Sequence, residues 1–368
     1  MKKCLHVLPM DKLSGAEKLA LIICENLQNY KPVVICGGGN LKDIFEDKGI
    51  RTYAVDFNNS IFKSAKEVSK IAKENHIDII HAHDNTASIV SYISKLIYRL
   101  DIKLVSHIHN CYPWLKSNNK NKIIDSIFRK RYDYNIACGK LVYDFYAKYT
   151  NYITSKNTSV LSNAIEVKEI TKKSKVNKDE IYKQYGIPKD KKVLGFVGRI
   201  SEQKGIIPFI ENVGRYKDKF VDCIFLMVGS GDQDNEAKEL VKILNMEEIF
   251  IFTGHQDNIY NFYPLMDIFF LPSLYEGLPM VLLEAMSFKK PIVSMNVGSI
   301  DEIIRNNGYL IEPGAYDNFI NKLDELKDDE EKMKIFGHNS LNIINRDYEI
   351  DTYCYKLERI YNLVNGEV

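Results

Sequence analysis

The chain has 368 residues, 45% of them apolar and 27% charged, and a formal net charge of +1. That length exceeds what one hydrophobic core ordinarily holds and implies two domains, while the near-zero charge argues against nucleic acid as a partner. Seven cysteines lie singly with no Cys-x-x-Cys pair, which excludes zinc-finger spacing and fits a reducing compartment better than a disulfide framework.

The opening stretch, MKKCLHVLPMDK, has an apolar run too short for a signal peptide. Nothing approaches the roughly 20 uninterrupted apolar residues of a membrane span. The expectation is a cytoplasmic protein that can still lie against the inner face of a membrane.

Strand-like runs at Cys4–Leu8, Pro32–Cys36, Thr52–Val55, Asp78–His81, Lys103–His107, Tyr134–Ala137 and Ser159–Leu161 alternate with helical periodicity, as at Ala16–Leu27, Ala65–Ala72 and Thr86–Leu96. Such alternation predicts α/β architecture with a doubly wound parallel sheet. Ligands of such sheets bind beyond the carboxyl ends of the strands. After the first strand, Ser14-Gly15-Ala16-Glu17 opens a helix, where Gly15 either admits a ligand to free N–H groups or merely turns the chain. The run Gly37-Gly38-Gly39 reads as a flexible turn, since no dinucleotide-binding G-x-G-x-x-G is present.

His81 and His83, then His107 and His109, sit at two strand ends. Alternation puts each pair on one face, yet no thiol accompanies them and Asp84 is offset from both, so no metal site is expected. His109 reads either as a hydrogen-bond donor to substrate or as a satisfied structural histidine. Trp114 precedes a basic stretch, Lys116, Lys120, Lys122, Arg129, Lys130 and Arg131, interleaved with Ile123, Ile124, Ile127 and Phe128. This is either an ordinary surface helix or a basic amphipathic element able to lie on an anionic membrane.

From residue 166 to 192 the chain is rich in Lys, Asp, Glu and Asn and reads as a linker between a domain at 1–165 and one at 193–349. The second strand–helix series is Val193–Val197, Cys223–Val228, Ile249–Phe252, Ile268–Leu271 and Ile292–Ser294. In VGRISEQKGI, Arg199 and Lys204 stand before a helix expected near Ile206 and would suit a pyrophosphate. Gly229 and Gly231 again allow close approach of a ligand, and His255 after Gly254 suits a resting base. In LPSLYEGLPMVLLEAMSF, two acids, Glu276 and Glu284, flank Gly277, Leu278 and a helix start with Pro279 in its first turn. Free N–H groups there attract phosphate, while the acids can accept from sugar hydroxyls. The same stretch also reads as a buried helix with two solvated glutamates.

Taken in order, SGAE at 14–17, VGRISEQKG at 197–205, VGSG at 228–231 and Glu276-x7-Glu284 resemble the retaining glycosyltransferases of family 4. The resemblance spans residue 4 to about 313 and implies two doubly wound Rossmann-like domains facing a central cleft, the fold called GT-B. It implies that Arg199 and Lys204 hold the diphosphate of a nucleotide-sugar donor, a uridine donor by family habit. Glu284 would accept from ribose, Glu276 from the transferred sugar, and Gly15 would lie against the donor phosphates. Gly229, Gly231, Gly277 and Leu278 would complete the donor site. His109 matches the family histidine that points at the sugar, with His107 as its competitor. The last helix, within 350–368, would complete the first domain. Ala164 departs from the family's interdomain Asn-Gly after Asn163. No metal or other cofactor is implied, and the expected acceptor is a glycan or a lipid-linked glycan of a surface polysaccharide or glycoconjugate. The rival expectations are a sugar-nucleotide 2-epimerase and a non-catalytic nucleotide-sugar-binding partner of another transferase.

Overall fold

The structure is a computed structural model, and it describes every residue except Asn59, Asn118, Lys175, Val176 and Val368. The chain divides into two compact units. One comprises 1–164 with 350–368, the other 165–349.

The first unit is built on seven strands: β1 (Lys2–Leu8), β2 (Tyr30–Cys36), β3 (Arg51–Ala54), β4 (Ile79–His83), β5 (Lys103–Ile108), β6 (Tyr134–Ala137) and β7 (Thr158–Val160). All pair in parallel, in the order β3-β2-β1-β4-β5-β6-β7. Near-continuous burial along β1, β4 and β5 follows from helices covering both faces of a parallel sheet. The strand order reverses between β1 and β4, which opens the crevice where ligands of such sheets bind. The C-terminal helix Ile350–Val364 completes this unit, burying Tyr353, Leu357, Ile360 and Tyr361. Its Glu358 accepts from the backbone N–H groups of Gln28 and Asn29 at 2.7 and 2.8 Å.

Six strands form the second unit: β8 (Lys192–Val197), β9 (Cys223–Val228), β10 (Phe250–Gly254), β11 (Ile268–Leu271), β12 (Ile292–Met295) and β13 (Gly308–Ile311). They are again all parallel, ordered β10-β9-β8-β11-β12-β13, with the reversal between β8 and β11. A core of aromatic side chains, Phe209, Phe225 and Phe270 among them, fills one side of the sheet. The fold class is thus the expected one, two Rossmann-like α/β units.

Several details differ from the sequence reading. β13 escaped it, because four residues after Asn306-Asn307 offer too short a run. Segment 166–192, apart from Lys175 and Val176 outside the described residues, carries helices Val167–Lys173 and Lys178–Tyr185. Those helices bury Ile170 and Ile181 in the core of the second unit. The three-glycine run is not a flexible turn: Gly37 N–H donates to Met10 O at 2.8 Å, and a Cβ on Gly37 would meet Pro9 O at 2.6 Å. Arg129 does not belong to an exposed basic face. It is fully buried, its Nε donating to Asp125 Oδ1 at 2.9 Å and its Nη1 to Ser106 Oγ at 2.6 Å.

Candidate active site

In the second unit the loops leaving β8, β9, β11 and β12 are locked together at the carboxyl ends of the strands. Gly198 N–H donates to Val228 O at 2.9 Å, Ile200 N–H to Ser230 O at 3.3 Å, and Ser299 N–H to Gly277 O at 3.0 Å. A Cβ on Gly229 would sit 2.0 Å from Gly198 O, and one on Gly231 would sit 2.1 Å from Ile200 O. These two glycines therefore admit the neighbouring loop's backbone, a use the sequence reading did not foresee. Gly298 plays the same part against Glu276 O, at 2.2 Å. Gly277 differs, with open space where a Cβ would point.

Lys204, in the loop after β8, and Glu276, in the loop after β11, meet across the point where the strand order reverses. Lys204 Nζ donates to Glu276 Oε1 at 2.5 Å, and Ser273 Oγ donates to the same oxygen at 2.7 Å. Both side chains are largely shielded, 15% and 6% exposed. Gln203 ties the two loops further, accepting from Leu274 N–H at 2.9 Å and donating through Nε2 to Tyr275 O at 3.1 Å. Arg199, in contrast, is exposed and makes no ion pair among the described residues. The site thus offers one free cation and one cation held by a carboxylate.

Pro279 stands at the N-cap, one residue ahead of the helix Met280–Ser287, and not within its first turn. Leu278 beside it is half-buried against the core. Glu284 is 1% exposed and accepts from Tyr263 Oη at 2.8 Å. Burial, and then the Glu284 carboxylate, hold the Tyr263 hydroxyl well above its ordinary range. Neither solvated nor open to a ligand here, Glu284 reaches ribose hydroxyls only if the overlying residues uncover it. His255 has an exposed side chain, its Nε2 3.8 Å from Asp257 Oδ1.

In the first unit, Gly15 begins the helix Gly15–Asn26, with open space at its Cβ position and Ser14 at the N-cap. Ser14 Oγ donates to Glu17, so its side chain leaves the first N–H groups of that helix uncapped. The two competing histidines are separated by burial. His107 is fully buried on β5 with neither ring nitrogen partnered, whereas His109 lies just past the strand end and is half-buried. His109 is held from several sides: His83 Nδ1 lies 3.1 Å from its Nε2, and its backbone N–H donates to Asp84 Oδ1 at 3.2 Å. Asp84, judged offset in sequence, adopts φ of 63° and also accepts from Tyr112 Oη at 3.0 Å. Burial lowers the His109 pKa, while Asp84 and then Glu17 pull it back up. His6, on β1, joins the cluster and was not singled out in sequence, where a lone histidine among apolar residues reads as core.

The expectation of no metal meets a more populated cluster than the sequence implied. His6, His81 and His83, and again His83, His107 and His109, bring ring nitrogens within 4.8 Å of one another. No helix among the described residues is long and apolar enough to cross a membrane.

Comparison with known proteins agrees with this architecture. Residues 13–169 match the family described as Glycosyltransferase Family 4, and residues 177–342 match Glycosyl transferases group 1. The chain is 25% identical over 381 aligned residues to an Escherichia coli UDP-Gal:alpha-D-GlcNAc-diphosphoundecaprenol alpha-1,3-galactosyltransferase, covering 98% of this chain and 96% of that one. Among solved structures it resembles a glycosyltransferase from Rickettsia africae, with TM-score 0.86, 20% identity and 100% of both chains covered. It also resembles Anabaena Alr3699/HepE in complex with UDP, with TM-score 0.84, 21% identity and coverage of 99% and 100%. With matches that between them run from residue 13 to residue 342, the chain belongs to the glycosyltransferases, family 4 in its first half and group 1 in its second.

Proposed function

We propose that this enzyme moves a sugar, with retention of anomeric configuration, from a uridine diphosphate sugar to a glycan or lipid-linked acceptor. The observation that carries the reading is the Lys204–Glu276 pair at the strand-order reversal of the second unit, with exposed Arg199 in the same loop as Lys204. Two cations at one loop suit a diphosphate, and a carboxylate beside them suits sugar hydroxyls. The Escherichia coli relative, named for a UDP-sugar donor and a diphosphoundecaprenol-linked acceptor, supports both substrate classes.

In this mechanism Arg199 and Lys204 neutralise the diphosphate as the bond from its oxygen to the anomeric carbon breaks. The acceptor oxygen bonds to that carbon on the same face, and its proton passes to the departing phosphate oxygen. Glu276 accepts from hydroxyls of the sugar and steadies the oxocarbenium-like transition state, while His109 donates a hydrogen bond to the sugar. Gly15 lies against the donor phosphates, and Glu284, once uncovered, accepts from ribose. The neutralisation is assigned to side chains, so the proposal includes metal independence.

Calorimetric titration of UDP, GDP, ADP and NAD in EDTA tests this. Selective binding of UDP, lost in Arg199→Ala, is the expected result. No diphosphate binding would overturn the donor site. Binding of UDP without any turnover favours a non-catalytic nucleotide-sugar-binding partner of another transferase, and turnover of UDP-sugar without an acceptor favours a 2-epimerase.

Contact with an anionic membrane is a second part of the proposal, and one observation favours it. On the helix Lys120–Arg129 the side chains of Ile123, Ile124 and Ile127 are 59%, 44% and 50% exposed, beside exposed Lys116, Lys120, Lys130 and Arg131. Trp114 is half-buried and stacks on Tyr112. An apolar ridge with a basic surround binds anionic headgroups through both terms. Sedimentation with phosphatidylglycerol vesicles, weakened by salt and by Ile123→Ser/Ile127→Ser, is expected. Equal recovery with neutral and anionic vesicles would remove this part.

A further inference from the structure

Five of the eight histidines gather at the carboxyl ends of three adjacent strands. Strand register brings them together: His6 on β1 is paired with His81 on β4, and His83 on β4 with His107 on β5. His109 follows β5 directly. Within the group, two contacts stand out. His6 Nδ1 lies 3.1 Å from His83 Nε2, and His83 Nδ1 lies 3.1 Å from His109 Nε2. Both ring pairs have centroids 5.4 Å apart. That separation is the nitrogen–nitrogen distance plus the two ring radii, so the facing nitrogens lie on the line between the rings. The ring nitrogens point at one another and not at a common third point, so one N–H can face one lone pair in each contact, which is the geometry of hydrogen bonds and not of metal ligation.

From this geometry we infer that His6 and His83 are positioning residues: they form a head-to-tail imidazole chain that fixes His109 as its Nδ1–H tautomer, a hydrogen-bond donor. The inference rests on the reading of His109 as a sugar contact given above. A neutral imidazole carries one N–H and one lone pair. In an enclosed site two N–H groups, or two lone pairs, cannot face each other without losing a hydrogen bond. Both contacts must therefore run the same way, and one proton position sets all three rings.

Direction follows from the inner end. His6 Nε2 is buried and has no partner. If the chain ran inward from His109, that atom would be an orphaned buried N–H. Running outward, it is a bare acceptor. Among backbone groups orphaned donors are the rarer of the two, and the same preference is taken here for the ring, although His107 beside it does hold one unpartnered N–H. The chain thus runs His6 Nδ1–H to His83 Nε2, then His83 Nδ1–H to His109 Nε2, and leaves Nδ1–H at the half-buried His109 end. Burial that keeps these rings neutral agrees with this arrangement. His81 is tied separately, its Nδ1 2.6 Å from the Tyr361 hydroxyl of the C-terminal helix. A His109 fixed in this way offers a hydrogen bond to an oxygen of the sugar or phosphate. It is not a base at Nδ1 unless all three protons shift together.

The test combines imidazole 15N–1H NMR on the full-length protein with kinetics in His83→Leu and His83→Asn. Asparagine retains an N–H donor at the position of Nδ1, so it separates the hydrogen bond from packing. The wild-type enzyme should show His109 as the Nδ1–H tautomer. His83→Leu should lose that assignment and lower kcat by roughly tenfold with nucleotide Kd unchanged, and His83→Asn should restore most of both. An Nε2–H tautomer at His109, or a His109 tautomer indifferent to His83→Leu, would overturn the chain. If His109→Ala leaves kcat intact while the NMR shows the chain, it is the role of His109 in transfer that fails.

Discussion

Lys204 Nζ lies 2.5 Å from Glu276 Oε1, although the two residues are 72 positions apart in the chain. Each comes from a loop leaving one of the two strands at the reversal of strand order, so the sheet topology itself makes the pair. A mostly shielded ion pair gains from its low-dielectric surroundings but costs desolvation, and one partner left alone there is strongly unfavourable. The pair therefore keeps both charges satisfied without a ligand. An incoming diphosphate offers Lys204 a second anion and frees a carboxylate oxygen for sugar hydroxyls.

The glycines of the site separate into two kinds, with opposite outcomes on substitution. Gly229 has φ of +132° and no room, since an added Cβ would lie 2.0 Å from Gly198 O. Gly229→Ala should therefore cost roughly 1–3 kcal/mol of stability, read as a lowered thermal midpoint. Gly15→Ala meets nothing within 4 Å and should leave that midpoint unchanged. Its predicted effect is on ligand only, a loss of roughly tenfold in donor affinity. Equal thermal loss in both variants would contradict the assignment.

Acid should destabilise the first unit through its histidines. Burial pushes His6 down to about 3. Burial, and then neighbouring histidines, hold His81, His83 and His107 well below the ordinary value of 6.5. The nearest acids, Asp84 and Glu17, act on His109. With folded values depressed, the unfolded chain binds more protons below pH 6.5. Stability is then full above that pH and falls as pH drops toward 3, at about 1.4 kcal/mol per unit for each proton. Denaturant midpoints between pH 7 and pH 5 should fall steeply, and His6→Phe should make the slope shallower by about one proton. A flat profile over that range would contradict neutral burial.

Among the described residues, Arg129 heads the largest fully buried side chains. It is satisfied by Asp125 at 2.9 Å, Ser106 at 2.6 Å and Asn85 at 3.1 Å, while Tyr152 Oη donates to the other Asp125 oxygen. Asp125→Ala strands a guanidinium in the interior and should cost about 3–5 kcal/mol. Asp125→Ala/Arg129→Met should recover part of that in chemical denaturation. No recovery would mean that packing, and not charge, holds this region.

Much of this was legible in the sequence, and the gaps have identifiable causes. Short apolar, β-branched runs between helical patterns located twelve of the thirteen strands, because a strand buried on both faces leaves little room for other residue types. Motifs named Lys204, Glu276 and His109. They did not show that Lys204 and Glu276 bind each other, since loop-to-loop pairing depends on strand order. His6 stayed hidden for a similar reason: only the register of β1 against β4 brings it to His83. Gly229 and Gly231 gave no sign of their loop contact, because a glycine at a strand end reads the same whether backbone or ligand fills the space. Arg129 looked exposed because it stands in a run of basic residues, and nothing in that run shows that Asp125, one helical turn away, pairs with it in the interior.

The exchange of partners at Lys204 is tested most directly by UDP affinity in Lys204→Met and Glu276→Gln, measured with kcat on the UDP-sugar. Lys204→Met should weaken UDP by roughly tenfold or more. Glu276→Gln should leave UDP affinity unchanged or tighter, because Lys204 is released to the diphosphate, while kcat falls by roughly a hundredfold. Equal weakening of UDP by both substitutions, with kcat untouched in Glu276→Gln, would contradict the account.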